Sequence, residues 1–186
     1  MNRLVIVPNP QLEAAGVALK ATLSTLVSEV NANNMIQLMG LLAHRTLSRV
    51  AAEADGTELI LWARDGRDFT VAWTSAVTGD KLEGHARAAN EEGLIARVYE
   101  SHRSTSEATP HMQTADWTNL ERIRGTVSSM AASPVIAFET CIGVLCRVRY
   151  LGTDASEISP PAEGAGVLSR LIEDRLIRLS LGLEST

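Results

Sequence analysis

The stretch Leu59-Ile60-Leu61-Trp62-Ala63-Arg64-Asp65-Gly66-Arg67-Asp68-Phe69-Thr70-Val71-Ala72-Trp73 decides how the rest of the chain is read. Two short runs rich in aliphatic and aromatic residues, Leu59–Ala63 and Phe69–Trp73, flank a polar segment containing Asp65-Gly66. An Asp-Gly pair suits a tight turn whose backbone needs positive φ, so the segment predicts an antiparallel hairpin. A second pair of strands is expected at Val127–Phe138 and Cys141–Tyr150, joined near Glu139-Thr140. Pro134 has no N–H to give a neighbour, which predicts a bend or an edge position at that point.

Working outward, helical periodicity surrounds these strands. Between Gln11 and Val30 the apolar positions Leu12, Leu19, Leu23, Leu26, Val27 and Val30 recur at helical spacing. Asn31, Asn33 and Asn34 are poor helix formers, and Asn34 suits the cap of a second helix carrying Met35, Met39, Leu42 and Leu47. One bent helix running straight through is the alternative, and the sequence leaves both open. Residues 1–10, with Pro8 and Pro10, read as an extended arm. Residues 75–90 read as a connection. Glu91–His102 follows as a helix with Leu94, Ile95, Val98 and Tyr99 on one face. A thin extended signal covers 104–110, a short helix is expected at Asp116–Arg124, and a last helix begins near Ala162. Strands and helices do not alternate as a parallel α/β fold requires. The order predicts an α+β domain: an antiparallel sheet of five to six strands flanked by N- and C-terminal helices.

Composition narrows the function. The chain has 186 residues, 45% hydrophobic and 21% charged, enough to bury a core without disulfides or metal. Its net charge of −5 argues against broad nucleic-acid binding, which needs clustered positive charge. No run approaches the roughly 20 apolar residues that span a bilayer, and the short apolar run after Arg3 is no signal peptide. The two cysteines, Cys141 and Cys146, are too few for a disulfide framework. Five residues apart on one strand, they are expected to face opposite ways. A reducing, cytoplasmic setting is expected.

Ser133-Pro134-Val135-Ile136, then Cys141-Ile142-Gly143-Val144-Leu145, resembles the strand pair of the GAF family. Glu92-Gly93-Leu94-Ile95-Ala96-Arg97-Val98 is similar to that family's helix start, with Ala96 where the family has a second glycine. The resemblance spans residues 35–184 in element order. It implies a GAF-like domain over 34–186, with 1–33 as an N-terminal arm and helix that dimerises. It further implies a non-enzymatic sensory or regulatory role in signal transduction. Such a domain binds a small molecule or a partner protein and pairs with a second copy through its terminal helices. No kinase, cyclase, phosphodiesterase or helix-turn-helix pattern is present, so a partner carrying the output domain is expected if the chain is whole. The cyclic-nucleotide and bilin signatures of the family are absent, and the sequence leaves the identity of any cofactor or ligand open.

Candidate site residues follow from type and position. Trp62, Trp73 and Tyr99 either line a cavity or simply fill the core, since seven aromatics serve the whole chain. His111 and Trp117 lie in the variable loop that, by resemblance, lids a GAF pocket; a surface histidine and a core tryptophan are the plainer reading. Strand alternation puts Arg147 and Arg149 on one face, as an anion site if it lines the pocket and a solvated stripe if exposed. A strand glycine such as Gly143 marks a bulge or a close backbone approach. No catalytic residues are expected. His44, His85, His102 and His111 are scattered without metal-ligand spacing, and no Ser-His-Asp order or phosphate loop occurs. The alternatives are a thiol-dependent redox enzyme of the free methionine-R-sulfoxide reductase type, using Cys141 or Cys146, and a ligand-free interaction module.

Overall fold

The computed structural model describes residues 32–51, 56–66, 68–76, 87–88, 93–108, 127–150 and 158–180, with Val17, Ala18, Ala21, Thr22, Thr25 and Val27. The extended arm, the expected helix at 116–124, and His85, His111 and Trp117 lie outside the described residues.

Among the described residues, six strands form one antiparallel sheet. They are β1 (Thr57–Asp65), β2 (Asp68–Thr74), β3 (Arg87–Ala88), β4 (Thr105–Ala108), β5 (Val127–Ala137) and β6 (Thr140–Tyr150), in the order β3-β2-β1-β6-β5-β4. Helices α1 (Ala32–Ala51) and α3 (Ala162–Ser180) cover one face, and the short α2 (Leu94–Ser101) covers part of the other.

The predicted hairpin joins β1 and β2, closing on the Asp65–Asp68 pair with Gly66 at φ 61. A β-bulge follows between Leu61 and Trp62, so Leu61 pairs with Trp73 while Trp62 pairs with Val71. The second hairpin closes on Ala137–Thr140, and its two turn residues, Phe138 and Glu139, have φ of 47 and 68. A two-residue turn with positive φ at both positions matches strand twist, but without glycine it is strained. The strain is offset locally. The Phe138 N–H donates to Glu173 Oε1 at 2.8 Å, and the Phe138 ring packs on the core under the long helices.

Strand β5 runs through Pro134 without the expected break. The edge half of that expectation holds. Strand β4 pairs with Ser129–Ala132, and among the described residues no strand covers the outer side of the far end of β5. There Pro134 offers no N–H, Ile136 N donates to Ser169 Oγ at 3.0 Å, and Phe138 N donates to Glu173. Helix α3 therefore satisfies the donors that an edge strand would otherwise present to another chain.

Helix α1 begins at Ala32 and holds Asn33 and Asn34 inside its first turn, so Asn34 is not the cap of a new helix. Packing outweighs the low propensity of the asparagines. Met35, Met39, Ala43 and Leu47, at four-residue spacing, all bury against Leu59, Leu61, Trp73 and Leu145 of the sheet. Ala165, Leu168, Ile172 and Leu176 of α3 complete that layer, and Val27 from the preceding helical segment joins the same core. Each large side chain so buried contributes about 1.5–3 kcal/mol of gross burial energy.

Candidate functional site

The sheet separates two apolar environments. On the α2 face, Trp62, Ile60, Phe69, Val71, Val144, Cys146 and Val148 meet Leu94, Ile95 and Val98, with Tyr99 and Tyr150 packed alongside. The buried residues of α2 fall at Leu94, Ile95, Ala96 and Val98, which tilts one helix side onto the strands. The helix ends at His102, which takes the left-handed conformation at φ 56. Tyr99 meets Phe69 edge-on, centroids 5.1 Å apart, and the Arg64 guanidinium lies 5.0 Å from the Phe69 ring centroid and 5.3 Å from that of Tyr99. This cation and two rings tie α2 to the tip of the first hairpin. Arg97 is ion-paired with Glu107, tying the helix to β4.

Trp62 stands out within this group. Its side chain is fully buried, at 0% exposure, and its indole Nε1–H has no acceptor. Native interiors pair nearly all such donors, because an unmade buried hydrogen bond costs about 1–3 kcal/mol.

The expected site residues divide between the faces. Trp62 and Tyr99 share the α2 face, whereas Trp73 lies under α1 and α3, so the two tryptophans do not wall one cavity. The Leu61–Trp62 bulge lies at this division, since Trp73 pairs with Leu61 and Val71 with Trp62. Arg147 borders a cavity on the α1/α3 face. Arg149 is 8% exposed, so it is not a solvated stripe. Sequence reading passed over Glu58. This buried carboxylate accepts from Thr74 Oγ1 of β2 and, at 2.7 Å, from the Tyr150 hydroxyl of β6, pinning three strands. An acidic residue directly before a run of five apolar ones was the available signal.

The cysteines correct an expectation. The register shift between Val135 and Ile136 inserts one extra residue in β6, which cancels the parity argument. Cys146 belongs to the α2-face core, and Cys141 lies near enough to Tyr99 to act on its hydroxyl electrostatically. Both thus lie toward α2, yet about 16 Å of strand separates them, too far for a disulfide. Burial pushes the Cys141 thiol up to about 11; bonds to the Gly143 and Val135 backbone offset this only partly. Burial also raises the Tyr99 hydroxyl, helped by Cys141 and opposed by Arg64. At pH 7 the Cys141 thiolate is then roughly one molecule in ten thousand, the reverse of an activated nucleophile. Alkylation of Cys141 by iodoacetamide is expected to be slow at pH 7 and to rise about tenfold per pH unit toward pH 11. Rapid labelling of Cys141 at neutral pH in the folded protein, read by mass spectrometry, would contradict this. Because the folded thiol holds its proton above the ordinary value near 9, its deprotonation also lowers stability as pH rises from 9 to 11.

Among the described residues, no group of three or more His, Cys, Asp or Glu is placed to hold a metal. No helix among them is long and apolar enough to cross a membrane.

No protein-family model and no curated protein matches the chain. Solved structures do. The GAF domain of a phosphoenolpyruvate-protein phosphotransferase (ptsP) from Coxiella burnetii superposes with a TM-score of 0.51 at 17% identity, over 90% of this chain and 96% of that one. The GAF domain of a two-component sensor histidine kinase from Bacillus halodurans gives a TM-score of 0.50 at 10% identity, over 83% and 99%. The chain has a GAF-like fold. Within this GAF-like fold, the strand pair around Gly143 and the helix begun by Gly93-Leu94-Ile95 occupy the places that the resemblance assigned them.

Proposed function

We propose that the chain is a non-enzymatic sensory or regulatory domain of signal transduction, receiving a small molecule or a partner's polar group on the α2 face. The unanswered Trp62 indole N–H, fully buried beside Tyr99 and Phe69, is the observation that carries this reading. A ligand acceptor placed there makes the missing hydrogen bond. His111 and Trp117, which follow β4 in the sequence, are proposed to close over it.

The reading includes a dimer formed through the arm at 1–33 and the terminal helices, working in the cytoplasm and signalling through a partner that carries the output. Leu41 of α1 and Leu179 of α3 are 51% and 50% exposed on these helices, and Val17 of the preceding segment is 68% exposed. Apolar side chains so placed favour a helical partner. The raised Cys141 thiol disfavours the redox enzyme.

The test is thermal unfolding of the whole chain against a panel of small polar and aromatic metabolites, run beside Trp62→Phe. At one hundred times Kd, a ligand adds about 2.7 kcal/mol, or roughly 5–11 °C in a chain of this size. The expected result is such a shift for at least one compound, blunted in Trp62→Phe. Sedimentation is expected to show a dimer that Leu41→Glu with Leu179→Glu makes monomeric. A monomer that responds to no compound sinks the reading.

A further inference from the structure

A cavity lies on the opposite side of the sheet from Trp62. It occupies about 360 Å³ between the last turns of α1, strands β1 and β6, and the start of α3. That volume falls in the range of small-molecule sites, roughly 300–1,000 Å³. Its walls are Leu47, Leu59, Leu145 and Val167, and its polar side is formed by Arg147, with Glu163 and Thr46 also on the lining.

Among the described residues, Arg147 is the only cation on that lining, and no described acidic side chain is ion-paired with it. Its Nη1 donates to the Ser159 carbonyl at 3.2 Å, while its Nε–H is buried and finds no acceptor. A guanidinium presents Nε and Nη as a fork suited to the two oxygens of a carboxylate. One arm of this fork is dry and unused. Pro160-Pro161 fix the entry into α3, and the helix points its positive end at the same space. The donors of Ala162 and Ala165 are already taken by the Pro160 and Pro161 carbonyls, so those two add field rather than hydrogen bonds. Glu163 opposes an anion, but it is exposed and screened by water. One cation against that opposition suits a single negative charge, not a dianion. The leucine and valine walls suit a hydrocarbon tail.

We propose that this cavity binds a small amphipathic monoanion, a medium-chain carboxylate, with its head on Arg147 and its tail between Leu47, Leu59, Leu145 and Val167. The occupant would touch α1, α3 and the sheet at once. The site is separate from the α2 face and stands whether or not a ligand binds there.

Octanoate is the probe, with octanol as its uncharged counterpart of equal chain length, titrated calorimetrically into the whole chain. Saturable one-to-one binding of octanoate is expected, at least tenfold tighter than octanol. Arg147→Met, which keeps length and removes the fork, is expected to weaken octanoate tenfold or more. Val167→Trp, which fills the cavity, is expected to abolish binding. Circular dichroism checks that each variant folds; should Arg147→Met fail, Arg147→Lys takes its place, with an expected loss of several-fold. Trp62→Phe is expected to leave octanoate binding unchanged. Absence of binding up to millimolar octanoate, equal affinity for octanol, or binding untouched by both cavity variants overturns the proposal.

Discussion

Gly143→Ala is expected to lower stability by about 3 kcal/mol or more, among the largest effects of any single methyl in this chain. A Cβ at Gly143 would sit 2.4 Å from the Trp62 carbonyl oxygen and 2.5 Å from Met39 Cε. The first is backbone of the neighbouring strand β1, held by the Ala63–Gly143 and Trp62–Val144 pairs, and cannot swing aside. The second is the tip of a flexible side chain. For a chain of this size the loss corresponds to a fall in Tm of roughly 6–12 °C, measurable by thermal or urea unfolding. Met39→Ala alone is expected to cost about 2–5 kcal/mol, as truncations of buried residues do. In the double variant the two costs are expected to sum to less than their separate values by about 1 kcal/mol, because one of two clashes is gone. Full additivity would mean that Met39 does not constrain this position.

Gly40→Ala is expected to destabilise by about 1–3 kcal/mol, against the ordinary rule for a helix. In an exposed helix interior the change gains about 1 kcal/mol. Here the new Cβ would lie 2.5 Å from the Ala72 carbonyl oxygen. Ala72 is the extra residue at the β1–β2 bulge, and α1 rests directly on its backbone. The whole helix would have to lift. Gly166→Ala in α3 is the control, since nothing lies within 4 Å of its Cβ position. It is expected to stabilise by about 0.5–1 kcal/mol. Equal signs for the two variants in urea unfolding would refute the packing described for α1.

Both glycines show what the sequence could and could not disclose. Gly143 was legible as a bulge or a close approach, and the structure has both there. Gly40 was silent, because a glycine inside a helical pattern carries no mark of what lies beneath it. The hairpins, the helix at α2 and the terminal helix were readable because alternation, turn residues and helical spacing are local signals. The bulges were not. One places Trp73 on the opposite face from Trp62, and the other undid the parity argument by bringing Cys141 and Cys146 to the same side. In Gly164-Ala165-Gly166 the two glycines look alike in sequence, yet a Cβ at Gly164 would meet the Leu145 and Leu47 tips at 3.1 and 3.3 Å while one at Gly166 would meet nothing within 4 Å. Of the candidate site, residue types such as Trp62 and Arg147 were legible, whereas the unpaired donor on each depends on neighbours distant in sequence.

Ser169 and Glu173 grip Ile136 and Phe138 at a spacing that allows no gradation. Four residues of helix advance roughly 6 Å and two residues of strand roughly 6.6 Å, so the two hooks fit two eyes in a single register. Sliding the helix by one residue would turn it by about 100° and release both at once. The C-terminal helix is thus a latch rather than a sliding rod, and any force reaching it from beyond Ser180 is either borne by the second hairpin or lets it go.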